Sequence, residues 1–182
     1  MKKRPVTRRK FLGQVALGGG LLVLAACKKP ATRAPPGKAD GKSMTAAELA
    51  LLSAACDRML PPDQDPGAVQ LGVVDYIDRR LSREGRRVQQ TRHRLRVGLG
   101  LLDDWSKKQH GKGFLELDSD TQDVALASLA AEGGDDGYHF VRQLLLLTLE
   151  GAFADPSYGG NRDKAGWKLV GFDAPCPNPR CE

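Results

Sequence analysis

Beyond residue 44 the apolar positions recur at three- and four-residue spacing in successive stretches, which is the pattern of amphipathic helices. Leu49, Leu52, Cys56 and Met59 or Leu60 form the first stripe. Thr45-Ala46-Ala47-Glu48 ahead of it fits a capping box, and Pro61-Pro62 stops it. In GVVDYIDRRLSRE, Val73, Val74, Ile77 and Leu81 share a face, and Asp75 and Arg79 stand as an i, i+4 ion pair on the other. A third helix is predicted over Val88 to His110 with Leu95, Leu99, Leu102 and Trp105 inward. Ser119 to Gln122 repeats the capping-box pattern before Val124, Leu126 and Leu129. YHFVRQLLLLTLEGAF is apolar nearly all round, so it belongs at the centre of the bundle. Alternating strand patterns are scarce and no repeat recurs. The fold class is therefore all-α, a compact bundle of about five helices with an irregular C-terminal segment.

That segment, DPSYGGNRDKAGWKLVGF from Asp155 to Phe172, breaks the helical pattern. Asp155-Pro156 reads as a helix stop, and Tyr158-Gly159-Gly160-Asn161 as a tight turn needing positive φ. Trp167 and Phe172 read as anchors. Glycine-rich loops of this kind either cradle a ligand or form irregular chain that docks onto something.

The N-terminal residues follow different rules. Residues 1–10, MKKRPVTRRK, are strongly cationic, and Phe11 to Ala26 is apolar but short and glycine-rich. A spanning helix needs about 20 apolar residues, so 1–26 reads as an export signal. Thr7-Arg8-Arg9-Lys10-Phe11-Leu12 resembles a twin-arginine signal, with Arg8, Arg9, Phe11 and Leu12 as its recognition residues. Leu24-Ala25-Ala26-Cys27 resembles a bacterial lipobox, in which Cys27 becomes the lipidated first residue of the mature chain. The other reading is an ordinary cleavage site beside a chance cysteine. Residues 27–43, rich in Pro, Gly and Lys, form a tether spanning roughly 20 Å, and 44–182 form one helical domain. The expected location is the periplasmic side of a bacterial membrane, held there by a lipid anchor.

Charge follows from this division. The whole chain carries 28 Lys+Arg against 22 Asp+Glu, a net charge of +6. Removing the cations of residues 1–26 leaves the mature chain neutral, which excludes a nucleic-acid role based on a basic excess. One local excess remains: Arg79, Arg80, Arg83, Arg86, Arg87, Arg92, Arg94 and Arg96. With no aromatic residue interleaved it does not suit base stacking. It reads as a solvated face or as a docking surface for an acidic partner or lipid headgroups.

Chemistry is sparse. No dinucleotide fingerprint, no phosphate-binding Gly-Lys-Ser/Thr loop and no C-x-x-C-H haem motif occurs. His93, His110 and His139 are scattered, and read as surface or half-buried residues rather than ligands. Asp103-Asp104 are helix neighbours that point apart, and Asp135-Asp136 in GGDDG suit a turn. Cys56 lies on an apolar face as a core residue. Cys176 and Cys181, in PCPNPRCE, either close a small loop together or pair one of them with another chain. No metal, cofactor or catalytic residues are assigned to this chain.

The stretch EGAFADPSYGGNRDKAGWKLVGF, with the helical body and the twin-arginine signal, resembles the small subunit (subunit 3) of gluconate 2-dehydrogenase. That family includes the small subunits of related flavin-dependent sorbitol, fructose and glucose dehydrogenases. The motif Asp-Pro-x-Tyr-Gly-Gly-Asn, then Gly-Trp and Gly-Phe, carries the resemblance, which extends over roughly Thr45 to Phe172. After Phe172 the family often continues Pro-Gly, whereas this chain reads Asp173-Ala174-Pro175. The resemblance implies a non-catalytic subunit that binds a large flavoprotein of the glucose-methanol-choline oxidoreductase type. FAD would sit in that partner and haem c in a multi-haem cytochrome. It also implies that Phe153, Asp155, Pro156, Tyr158, Gly159, Gly160, Asn161, Arg162, Gly166, Trp167, Gly171 and Phe172 form the docking segment. Two other readings stand beside it: a free-standing periplasmic lipoprotein that binds a partner or small ligand, and an enzyme using Asp155, Arg162 or Asp163.

Overall fold

The computed structural model describes residues 43–172. Helix α1 spans Ala46–Met59, α2 Val73–Leu81, α3 Arg86–His110, α4 Ser119–Glu132, α5 Gly134–Phe153 and α6 Ala165–Leu169. No strand occurs among the described residues. The five long helices match the sequence pattern, and the short α6 lies inside the segment expected to be irregular. No described helix is long and apolar enough to cross a membrane.

The caps explain where the elements begin. Glu48 N–H donates to Thr45 Oγ1 and Thr45 N–H to Glu48 Oε2, so the first capping box forms as the sequence predicts. The second does not. The N-cap of α4 is Asp118, one residue early, whose carboxylate accepts from Thr121 N–H at 2.9 Å. Gln122 is thereby free to donate from Nε2 to the Phe114 carbonyl at 2.9 Å, pinning the 3₁₀ turn Phe114–Glu116, whose Phe114 is buried. An aspartate accepts the exposed amide more strongly than a serine hydroxyl does, and that shifts the boundary. Asp135 and Asp136 are likewise not in a turn. They occupy the first turn of α5, where their charge suits the positive helix end.

Helix α5 packs against all four other long helices. Its Phe140, Leu144, Leu147 and Ala152 join Leu52, Ile77, Leu95, Leu99, Leu102 and Leu129 in one core. Each of the large side chains among them contributes about 1.5–3 kcal/mol by leaving water. Thr148, fully buried, donates to the Leu144 carbonyl at 2.8 Å and lies 3.4 Å from Cys56 Sγ, joining α5 to α1. Burial pushes the Cys56 thiol up to about 12, against the smaller opposing effect of the Thr148 contact. The thiolate is the nucleophile. Cys56 should therefore resist alkylation at pH 8 in the native chain and react once it is denatured. Peptide mapping by mass spectrometry checks this, and rapid native labelling would contradict the packing.

Candidate functional site

The C-terminal carbonyls of a helix have no partners within it. At the end of α5 the following chain supplies them. The Asn161 backbone N–H donates to the Gly151 carbonyl at 2.9 Å, the Trp167 indole N–H to that of Phe153 at 2.8 Å, and the Asn161 side-chain amide to that of Ala154 at 2.9 Å. The other end of the Asn161 side chain accepts from Gly166 N–H at 2.8 Å. Residues 155–172 therefore form a clasp that caps the central helix.

The clasp explains its own composition. A Cβ on Gly160 would overlap the Gly151 carbonyl, and one on Gly166 the carbonyl of Ala152, so only glycine lets the chain lie this close. Gly159 has φ +100, and Asn161, Asp163 and Lys164 have φ of 47, 56 and 55. Left-handed backbone is uncommon outside glycine, so three such residues in four concentrate strain that the surrounding bonds must hold. Asp155 caps the 3₁₀ turn Pro156–Tyr158 by accepting from Ser157 N–H at 2.9 Å.

A second set of contacts ties the clasp to α2 and the turn before it. Arg162 N–H donates to the Leu71 carbonyl at 3.1 Å, and its guanidinium pairs with Asp75. The predicted Asp75–Arg79 pair is therefore absent. Instead the Arg79 guanidinium lies over Gly159. Arg83 stands 5.9 Å from the centre of the Tyr158 ring, a cation–π contact, and Arg80 pairs with Glu150. Part of the arginine cluster is thus used internally. Arg96 pairs with Glu48 at 3.0 Å and donates to the Ser43 carbonyl at 2.9 Å, while Arg86, Arg87, Arg92 and Arg94 make no side-chain hydrogen bond or ion pair among the described residues.

Of the proposed docking residues, Gly160, Asn161 and Gly166 are buried and Phe153, Pro156, Gly159 and Trp167 half-buried; Asp155, Tyr158, Arg162, Gly171 and Phe172 are exposed. Phe172 is no anchor to the body. It is 53 % exposed, its ring edge-on to Trp167 at 5.4 Å, and its N–H donates to the Trp167 carbonyl at 2.8 Å. Arg8, Arg9, Phe11, Leu12, Cys27, Cys176 and Cys181 lie outside the described residues.

Sequence spacing alone did not connect His93 with His139. Both line a groove of about 570 Å³ between α3 and α5, with Arg94, Val97, Gly98, Leu101, Asp136, Phe140, Arg142, Gln143 and Leu146. His110 is separate from it, and its Nε2 is buried without a hydrogen-bond partner among the described residues. Among the described residues no group of three or more His, Cys, Asp or Glu side chains is placed to hold a metal ion.

These features define a helical bundle whose central helix is closed by a glycine- and aromatic-rich clasp. The model of the gluconate 2-dehydrogenase subunit 3 family matches residues 46–174, bundle and clasp together, and the chain belongs to that family. It is accordingly a subunit of a gluconate 2-dehydrogenase-type complex. No curated protein and no solved structure matches the chain.

Proposed function

We propose that this chain is the non-catalytic small subunit of a flavin-dependent sugar or polyol dehydrogenase, docking a large flavoprotein through the clasp. It brings the twin-arginine export signal and, through Cys27, a lipid anchor on the periplasmic side of the membrane. FAD belongs to the partner and haem c to a cytochrome subunit. The observation that carries the docking role is the clasp's division of labour. Asn161, Gly160, Gly166 and the Trp167 indole turn inward to fix the loop, which leaves Tyr158 38 % and Phe172 53 % exposed. Rigid, exposed aromatic rings are the residues that most often dominate binding energy at an interface.

The test is a mild-detergent pull-down of the tagged chain from membranes, with mass spectrometry and a visible spectrum for flavin and haem. Tyr158→Ala with Phe172→Ala should lose the flavoprotein, weakening binding by about 2 kcal/mol or more, while the melting temperature of the isolated subunit barely moves. Trp167→Ala should lower that melting temperature, because it removes a capping donor. If the double variant still recovers its flavoprotein in full, the clasp is not the docking surface. Cys27→Ser should move the protein out of the membrane fraction or leave it unprocessed, and wild-type processing and fractionation would remove the anchor.

A further inference from the structure

The groove between α3 and α5 is separate from the clasp. It centres on Phe140, about 18 Å along α5 from Ala152 at 1.5 Å per residue. Its floor is apolar and incompletely covered: Val97 is 56 % and Leu146 52 % exposed, with Leu101 and Phe140 beside them. At the base of the groove Gly98 lets the buried Phe140 ring lie directly on α3, where a Cβ would overlap the ring. Around this floor stand Arg94 and His93 from α3 and Arg142 and His139 from α5, with Asp136 the single acid lining it. Neither guanidinium has an ion-pair partner among the described residues.

We propose that this groove holds an anionic phospholipid of the membrane surface, with Arg94 and Arg142 on the phosphate and Val97, Leu101 and Leu146 along the upper acyl chain. Guanidinium forks match phosphate oxygens, and an uncovered apolar floor is stabilised by hydrocarbon. The 570 Å³ suits a headgroup with part of one chain.

Two further observations favour lipid over an acidic protein segment. Arg86 and Arg87 extend the same basic face towards the start of α3, since Arg87 and Arg94 stand seven residues, two turns, apart. The chain also enters the domain on this helix. Ser43 is clamped there by its carbonyl to Arg96 at 2.9 Å, and by its N–H and hydroxyl to the Asp78 carboxylate of α2 at 2.9 and 2.7 Å. The preceding residues include Lys28, Lys29, Arg33, Lys38 and Lys42 against Asp40. Basic segments of this kind are attracted to anionic lipid surfaces. The proposal shares the membrane location read from Cys27, but its test needs no anchor.

The experiment uses the mature chain, residues 27–182 with Cys27→Ser, so that no acyl chain contributes. Co-sedimentation should show binding to phosphatidylglycerol-containing vesicles, weak binding to pure phosphatidylcholine, and loss of binding as salt rises. Arg94→Gln with Arg142→Gln should lower the partition coefficient about thirtyfold, at a typical contribution per surface arginine, with unchanged melting temperature. Dihexanoyl phosphatidylglycerol should shift the methyl NMR signals of Val97, Leu101 and Leu146, whereas inorganic phosphate at the same concentration should not. Equal binding by parent and variant would mean that the lysine-rich tether alone is responsible, and would overturn the proposal. So would absence of anionic-lipid preference, or a variant that keeps vesicle binding but loses the flavoprotein, since the groove would then be a protein interface. A failed pull-down through the clasp leaves these vesicle results unaffected.

Discussion

Asn161→Ala should be among the most destabilising single substitutions in the chain, costing about 3–5 kcal/mol. The substitution removes the donor to the Ala154 carbonyl and the acceptor of Gly166 N–H together, at a site with no exposure. Each buried group left unpaired costs about 1–3 kcal/mol, and alanine at φ 47 adds strain that asparagine tolerates. Against a total stability of about 5–15 kcal/mol for an ordinary domain, the loss is large. Chemical denaturation of the isolated subunit measures it. Asn161→Gly separates the causes, because glycine removes the backbone strain but restores neither bond. If Gly is nearly as damaging as Ala, the hydrogen bonds dominate, as expected. An Ala variant that unfolds at the wild-type midpoint would show that the clasp does not cap α5 in solution.

The second large effect concerns transport. Arg8→Lys with Arg9→Lys keeps the charge of the N-terminal region and removes only the paired guanidinium groups. A small helical domain has little need of a route that carries folded cargo, whereas a flavoprotein loaded in the cytoplasm does need it. We propose that this chain binds its partner before export and that one signal serves both proteins. The double variant should strand this subunit and the flavin-dependent dehydrogenase activity together in the cytoplasm, with almost none recovered from the periplasm. The partner's own sequence should lack an export signal. A partner that still reaches the periplasm would end the carrier role and leave docking alone.

The helices were legible because their determinants are local. Thr45 and Glu48 cap over four residues, and Leu95, Leu99 and Leu102 fall on one face by spacing alone. The need for positive φ around Gly159 and Asn161 was legible for the same reason. Contacts across elements were not. The spacing of Asp75 and Arg79 permits a pair within α2, and only the fold brings Arg162 near enough to take Asp75 instead. Asn161 reads in sequence as a turn residue, yet its side chain closes a helix end seven residues back. His93 and His139 share a groove because Gly98 draws α5 onto α3, an approach that no periodicity encodes.

The cap on α5 has a consequence for assembly. Tyr158 and Phe172 are held in place by bonds that end on Gly151, Phe153 and Ala154, so the presented surface exists only when the central helix is complete. On the docking role proposed above, a misfolded copy would lack the shape that the partner recognises. Under that proposal the clasp would act as a proofreading device, with quality control of the small subunit built into the act of recognition, before the pair is committed to leaving the cell's interior.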